Sequence, residues 1–154
     1  MREMRGAMSF DKTRSVTDGA DTAARPSILV VEDNPAIREF IARALASSGH
    51  EATLATDGQQ AMEILSQGTY DLLITDLVMP HVDGIALALK AARQNPDLRV
   101  IIISGYAQER MRAHNLDTLI YKIIPKPFSL EELCAAVETA LTEPLPLSGN
   151  PSHA

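Results

Sequence analysis

The chain has 154 residues, 45% hydrophobic and 22% charged, which suits one domain with its own core and not a disordered chain. A formal net charge of -6 with no concentrated basic patch excludes a broad nucleic-acid-binding surface. Cys134, the single cysteine, has no disulfide partner, and no apolar run reaches the length of a membrane span.

Residues 1–26 are rich in Ser, Thr, Asp, Arg and Gly and carry neither a helical nor a strand period. They are expected to form a flexible tail, and they lack the continuous apolar stretch of a secretory signal, so the cytoplasm is the expected compartment. The folded unit is expected over residues 27–142, with a disordered end over the Pro- and Gly-containing stretch 143–154.

Residues 27–31 (SILVV) form a short apolar run, as in a strand buried on both faces. Asn34 can cap the following helix, and Pro35 suits its first turn. Ile37, Phe40, Ile41, Ala44 and Leu45 recur at helical spacing until Gly49 ends the run. A weaker strand over 51–55 precedes a helix through Ala61, Met62, Ile64 and Leu65. The third strand, 72–75, ends directly on Asp76, and Asp83-Gly84 opens the next helix. A fourth strand over 100–103 ends on Ser104. A weakly amphipathic fourth helix is expected over 107–115 and a fifth strand over 119–124. Ser129 and Glu132 form a capping box that begins the last helix.

Strands alternating with helices imply a doubly wound α/β fold with a five-stranded parallel sheet covered on both faces. Lys122 would be awkward in a central strand but is tolerable at a sheet edge, which fits a strand order with the first and third strands in the middle. In such sheets ligands bind beyond the carboxyl ends of the strands. Here those ends carry Glu32 and Asp33, Asp76, Ser104 and Lys126.

Clustered carboxylates repel one another unless they share a cation, and a sparse all-oxygen donor set suits Mg²⁺. A central carboxylate can then attack phosphorus and form an acyl phosphate. Phosphoryl transfer depends chiefly on positioning and on neutralising the equatorial oxygens, for which Ser104 and Lys126 are suited.

The segments VVEDN (30–34), TDLVMPHVDG (75–84), ISGYA (103–107) and KPF (126–128) together resemble the receiver domain of two-component response regulators, of the stand-alone, CheY-like kind. The resemblance implies a flavodoxin-like receiver fold with strand order 2-1-3-4-5. It implies that Asp76 accepts the phosphoryl group and that Mg²⁺ is held by Glu32, Asp33, Asp76 and the Val78 backbone carbonyl. Ser104 and Lys126 would contact the phosphate and act as the switch, with Pro127 in the cis form. The donor would be a phosphohistidine of a sensor histidine kinase or histidine phosphotransfer protein. The readout would be a downstream protein target meeting the fourth helix, fifth strand and last helix. The chain is then a signalling domain, not a turnover enzyme, acting as a monomer or a phosphorylation-linked dimer without nucleic acid or membrane.

Receivers often carry an aromatic switch three residues before the lysine, where this chain has Ile123. Tyr106 or Tyr121, the latter expected on the same face as Ile123, is the candidate to take part instead. Val78 and Tyr106 would flank the path of a hydrolytic water. The competing class is a Mg²⁺-dependent aspartate-nucleophile phosphohydrolase, which would want an acid-base aspartate two residues after Asp76, where Val78 stands. The histidines pair at no ligand spacing and are expected at the surface.

Overall fold

A computed structural model describes residues 25–105 and 120–142. Residues 1–24 of the expected N-terminal tail, the expected C-terminal tail, the expected fourth helix and Tyr106 lie outside those residues. The described elements are β1 (Ile28–Val31), α1 (Pro35–Ser47), β2 (Ala52–Ala55), α2 (Gly58–Leu65), β3 (Leu72–Asp76), α3 (Gly84–Gln94), β4 (Arg99–Ser104), β5 (Lys122–Pro125) and α4 (Leu130–Thr142), the last helix.

The sheet is parallel throughout and ordered β2-β1-β3-β4-β5, with β1 and β3 in its middle as expected. Because side chains alternate across a strand, the central strands feed two separate cores. Leu29, Val31, Leu73, Val100 and Ile102 pack with Leu65, Leu87 and Ala88 of α2 and α3. Ile28, Val30, Leu72, Ile74, Ile101 and Ile103 pack with Ile41, Leu45, Leu133 and Val137 of α1 and α4. Each fully enclosed Leu or Ile contributes about 1.5–3 kcal/mol toward offsetting chain entropy. Such continuous apolar runs are what a sheet buried on both faces requires.

The helix starts follow the capping residues. Asn34 Oδ1 accepts from the N–H groups of Ala36 and Ile37 at 2.9 and 3.1 Å. Asp57 and Asp83 cap α2 and α3 in the same way, each accepting at 2.8 Å. At α4 the box closes in both directions: the Glu132 N–H donates to Ser129 Oγ at 3.0 Å, and the Ser129 N–H donates to Glu132 Oε1 at 2.8 Å. Gly49, at φ 86°, takes the left-handed conformation that ends α1.

The fifth strand departs from expectation. It begins at Lys122, not at residue 119, and Tyr121 lies at a bend before it with its N–H bonded to the Val100 carbonyl at 2.7 Å. The period-two alternation therefore does not extend back to Tyr121. Ile123 packs on the α2–α3 side and Tyr121 on the α1–α4 side, so the two are on opposite faces, not the same one. Lys122 is exposed on this edge strand. His50, expected at the surface, is largely enclosed, with Nε2 2.7 Å from Glu138 Oε2 across to α4.

Candidate functional site

The register of the sheet brings the strand ends together. Val31 lies opposite Thr75, Asp76 opposite Ile103, and Ser104 opposite Pro125. The next residues, Glu32 and Lys126, thus leave the sheet beside Asp76 and Ser104. Each apolar run stops where its strand reaches the edge of the sheet, so polar side chains follow at the rim.

Carboxylate oxygens of Glu32, Asp33 and Asp76 all lie within 4.8 Å of one another. Glu32 is 1% exposed and Asp76 7%, whereas Asp33 is exposed. The Lys126 ammonium donates to Asp76 Oδ2 at 3.1 Å and stands 3.4 Å from Glu32 Oε1. Ser104 is buried at the end of β4, and its carbonyl accepts from the Lys126 N–H at 2.9 Å, tying the lysine-bearing segment to the hydroxyl-bearing one. The Lys126–Pro127 peptide bond is cis.

Burial dominates the electrostatics of Glu32. Loss of hydration, reinforced by the charges of Asp76 and Asp33, pushes its carboxyl up to about 7 against the opposing Asn34 N–H and Lys126 ammonium. Burial also works against the charge on Lys126. The Asp76 and Glu32 carboxylates and the hydrogen bond to Asp76 outweigh it, and the lysine is raised above its ordinary value.

Glu32 Oε1 is buried and takes no hydrogen bond among the described residues. A buried carboxylate oxygen costs free energy when it lacks a full set of partners. Its position among three carboxylates fits a hard divalent cation, and an all-oxygen donor set fits Mg²⁺ better than a softer metal. Glu32, Asp33 and Asp76 are the residues able to hold it.

Val78, whose carbonyl was the other expected ligand, follows two residues after Asp76 and is 46% exposed. Tyr121 does not join the group. It lies at the N-terminal end of β5, bonded to Val100, while the site lies at the carboxyl ends.

Sequence reasoning missed the residues that brace the site. The Asn34 N–H donates to Glu32 Oε2 at 3.1 Å, and Arg38 Nη1 donates to the Glu32 main-chain carbonyl at 2.8 Å. Gly84 lies against the main chain of Asp76 and Leu77, and Gly58 against Val82 in the loop between β3 and α3. A charged residue on a helix reads as a solvated position, and a glycine beside a cap reads as a helix start. Neither pattern reports a contact made across the fold.

Comparison with known proteins gives a consistent picture. The response regulator receiver domain model matches residues 28–138. The response regulator receiver protein CpdR of Brucella abortus is 36% identical over 114 residues, covering 74% of this chain and 95% of that protein. The sensor kinase CckA of the same organism is 33% identical over 132 residues, covering 84% of this chain but only 14% of the kinase. The structure of the Thermotoga maritima response regulator TrrA, in complex with Mg²⁺ and beryllium fluoride, superposes with a TM-score of 0.68 at 30% identity, covering 76% of this chain and 100% of that one. With its strand order, its rim of acids and this match in hand, the chain belongs to the receiver-domain family of two-component response regulators.

Proposed function

We propose that this chain accepts a phosphoryl group on Asp76 from a phosphohistidine of a sensor histidine kinase or histidine phosphotransfer protein. The observation that carries it is the convergence of Glu32, Asp33 and Asp76 within 4.8 Å, with the Lys126 ammonium 3.1 Å from Asp76. An Asp76 carboxylate oxygen forms the new P–O bond while the P–N bond of the donor breaks, its electron pair leaving with the imidazole nitrogen. Lys126 balances charge on the phosphoryl oxygens, and the Ser104 hydroxyl donates to one of them. Mg²⁺, held by Glu32, Asp33, Asp76 and the Val78 carbonyl, supplies charge neutralisation for the same transfer when bound. The complex of the similar TrrA with Mg²⁺ and beryllium fluoride supports this assignment.

The chain acts as a cytoplasmic receiver over residues 27–142, and its similarity along 95% of CpdR, a receiver protein, supports the receiver reading. Phosphorylation changes the binding of a downstream protein at the surface of β5 and α4. A groove of about 400 Å³ there is lined by Tyr121, Ile123, Glu132, Ala136 and Thr139. Among the described residues no helix is long and apolar enough to cross a membrane.

The test is titration with beryllofluoride and Mg²⁺, followed by the backbone amide resonances. Saturable shifts are expected at residues 32–33, 76–78, 104 and 126, and they should disappear in Asp76→Asn. Unchanged resonances in the parent protein would remove the proposal.

A further inference from the structure

The Glu32 carbonyl lies just past the end of the β1 ladder, whose paired residues run from Ile28 to Val31. Its partner is a side chain, the guanidinium of Arg38, whose Nη1 donates at 2.8 Å from six residues further along the chain. Arg38 is the fourth residue of α1 and half-buried. Helical side chains lean toward the N-terminus of their helix, which directs this one back over the loop that precedes the cap.

The anchored oxygen belongs to the peptide joining Glu32 to Asp33. That unit is planar, so holding its oxygen also fixes the direction of the Asp33 N–H and the path into the Asp33 Cα. Asp33 is exposed, so its carboxylate takes its place from the backbone and not from packing. On the other side of the loop, the Asn34 side chain caps α1 while its N–H holds Glu32 Oε2. Arg38 meets the loop at its backbone. The charges that move the Glu32 carboxyl are those of Asp76, Lys126 and Asp33.

We infer that Arg38 is a positioning residue for the acidic loop, setting Glu32 and Asp33 for a divalent cation by anchoring the peptide between them. This rests on Mg²⁺ being the ion that the site takes. Outer-shell groups that orient ligands typically change metal affinity by about 10–100-fold when removed.

The experiment is calorimetric titration of the metal-free protein with MgCl₂, for the parent, Arg38→Met and Arg38→Lys, with urea unfolding in EDTA alongside. Arg38→Met keeps the apolar stem and removes only the donor and its charge. A positioning role predicts about tenfold weaker Mg²⁺ binding in Arg38→Met, with part of the loss recovered in Arg38→Lys. A role as a nearby positive charge predicts the opposite sign, because removing a cation tightens binding of another. A purely structural role lowers the unfolding midpoint and leaves the affinity of the folded protein within twofold. Either of the last two results overturns the inference. A parent protein that binds no Mg²⁺ removes the assignment of the site itself, and the role of Arg38 with it.

Discussion

Gly84 at the start of α3 lies against the main chain of Asp76. A Cβ built on it would overlap the Asp76 carbonyl oxygen and stand 2.9 Å from the Leu77 Cα. The Gly84 N–H also donates to the Leu77 carbonyl at 2.8 Å, so the helix start and the end of β3 are one contact. Gly84→Ala must push the Asp76 peptide aside. It is expected to destabilise the fold by about 1–3 kcal/mol and to slow phosphorylation of the molecules that remain folded. Urea melts and phosphorylation rates measure the two effects, and parent-like values in both would show that the loop yields without cost.

Lys126 holds Asp76 and Glu32 together as a cation, so it competes with any metal for the same carboxylates. Lys126→Met is expected to bind Mg²⁺ more tightly, roughly tenfold, because a like charge has left the site. It is also expected to accept a phosphoryl group more slowly at saturating Mg²⁺, on the order of 100-fold, if Lys126 is the donor to the phosphoryl oxygens proposed above. Affinity and rate should therefore move in opposite senses, and a loss of both would assign Lys126 a merely structural part.

Much of this arrangement was legible in the sequence because apolar runs end where strands meet the rim. Asn34, Asp83 and the Ser129–Glu132 pair marked helix starts through side-chain chemistry that acts locally. The beginning of β5 was not legible. Ile120 and Tyr121 extend the apolar run backwards, and only the packing of Tyr121 and Ile123 into opposite cores shows that the strand proper begins after a bend. The bracing of Asp76 by Gly84 and of Glu32 by Arg38 depends on close approach between elements, which periodicity does not encode.

The raised carboxyl of Glu32 has a consequence of definite sign. A proton held to about 7 in the folded protein, against an ordinary value of 4.5, is bound more tightly when folded than when unfolded. Its contribution to metal-free stability is full below the ordinary value and is lost as pH rises through 7. The parent should thus lose stability relative to Glu32→Gln between pH ~5 and ~8 in EDTA. Mg²⁺ must displace the same proton, so its apparent affinity should be roughly tenfold weaker at pH ~6 than at pH ~8. Affinity that is flat across this range would place the Glu32 proton elsewhere.

Gly58 at the start of α2 supports the loop after Asp76 from the other side. A Cβ there would stand 2.6 Å from the Val82 Cβ and 2.9 Å from its carbonyl oxygen. Gly58→Ala is expected to cost about 1–3 kcal/mol, and adding Val82→Gly should return part of it, since the nearer of the two clashes is with the Val82 Cβ, which glycine lacks. A double-mutant cycle by urea denaturation reads the coupling, and strictly additive losses would mean that the two residues do not press on one another.

The central claim is tested most directly by intact-mass measurement after incubation with acetyl phosphate and Mg²⁺. The parent protein is expected to gain a single phosphoryl group, to lose that gain in EDTA, and to show none in Asp76→Asn. A parent that stays unmodified, or an Asp76→Asn protein that is modified to the same extent, would contradict Asp76 as the phosphoryl acceptor.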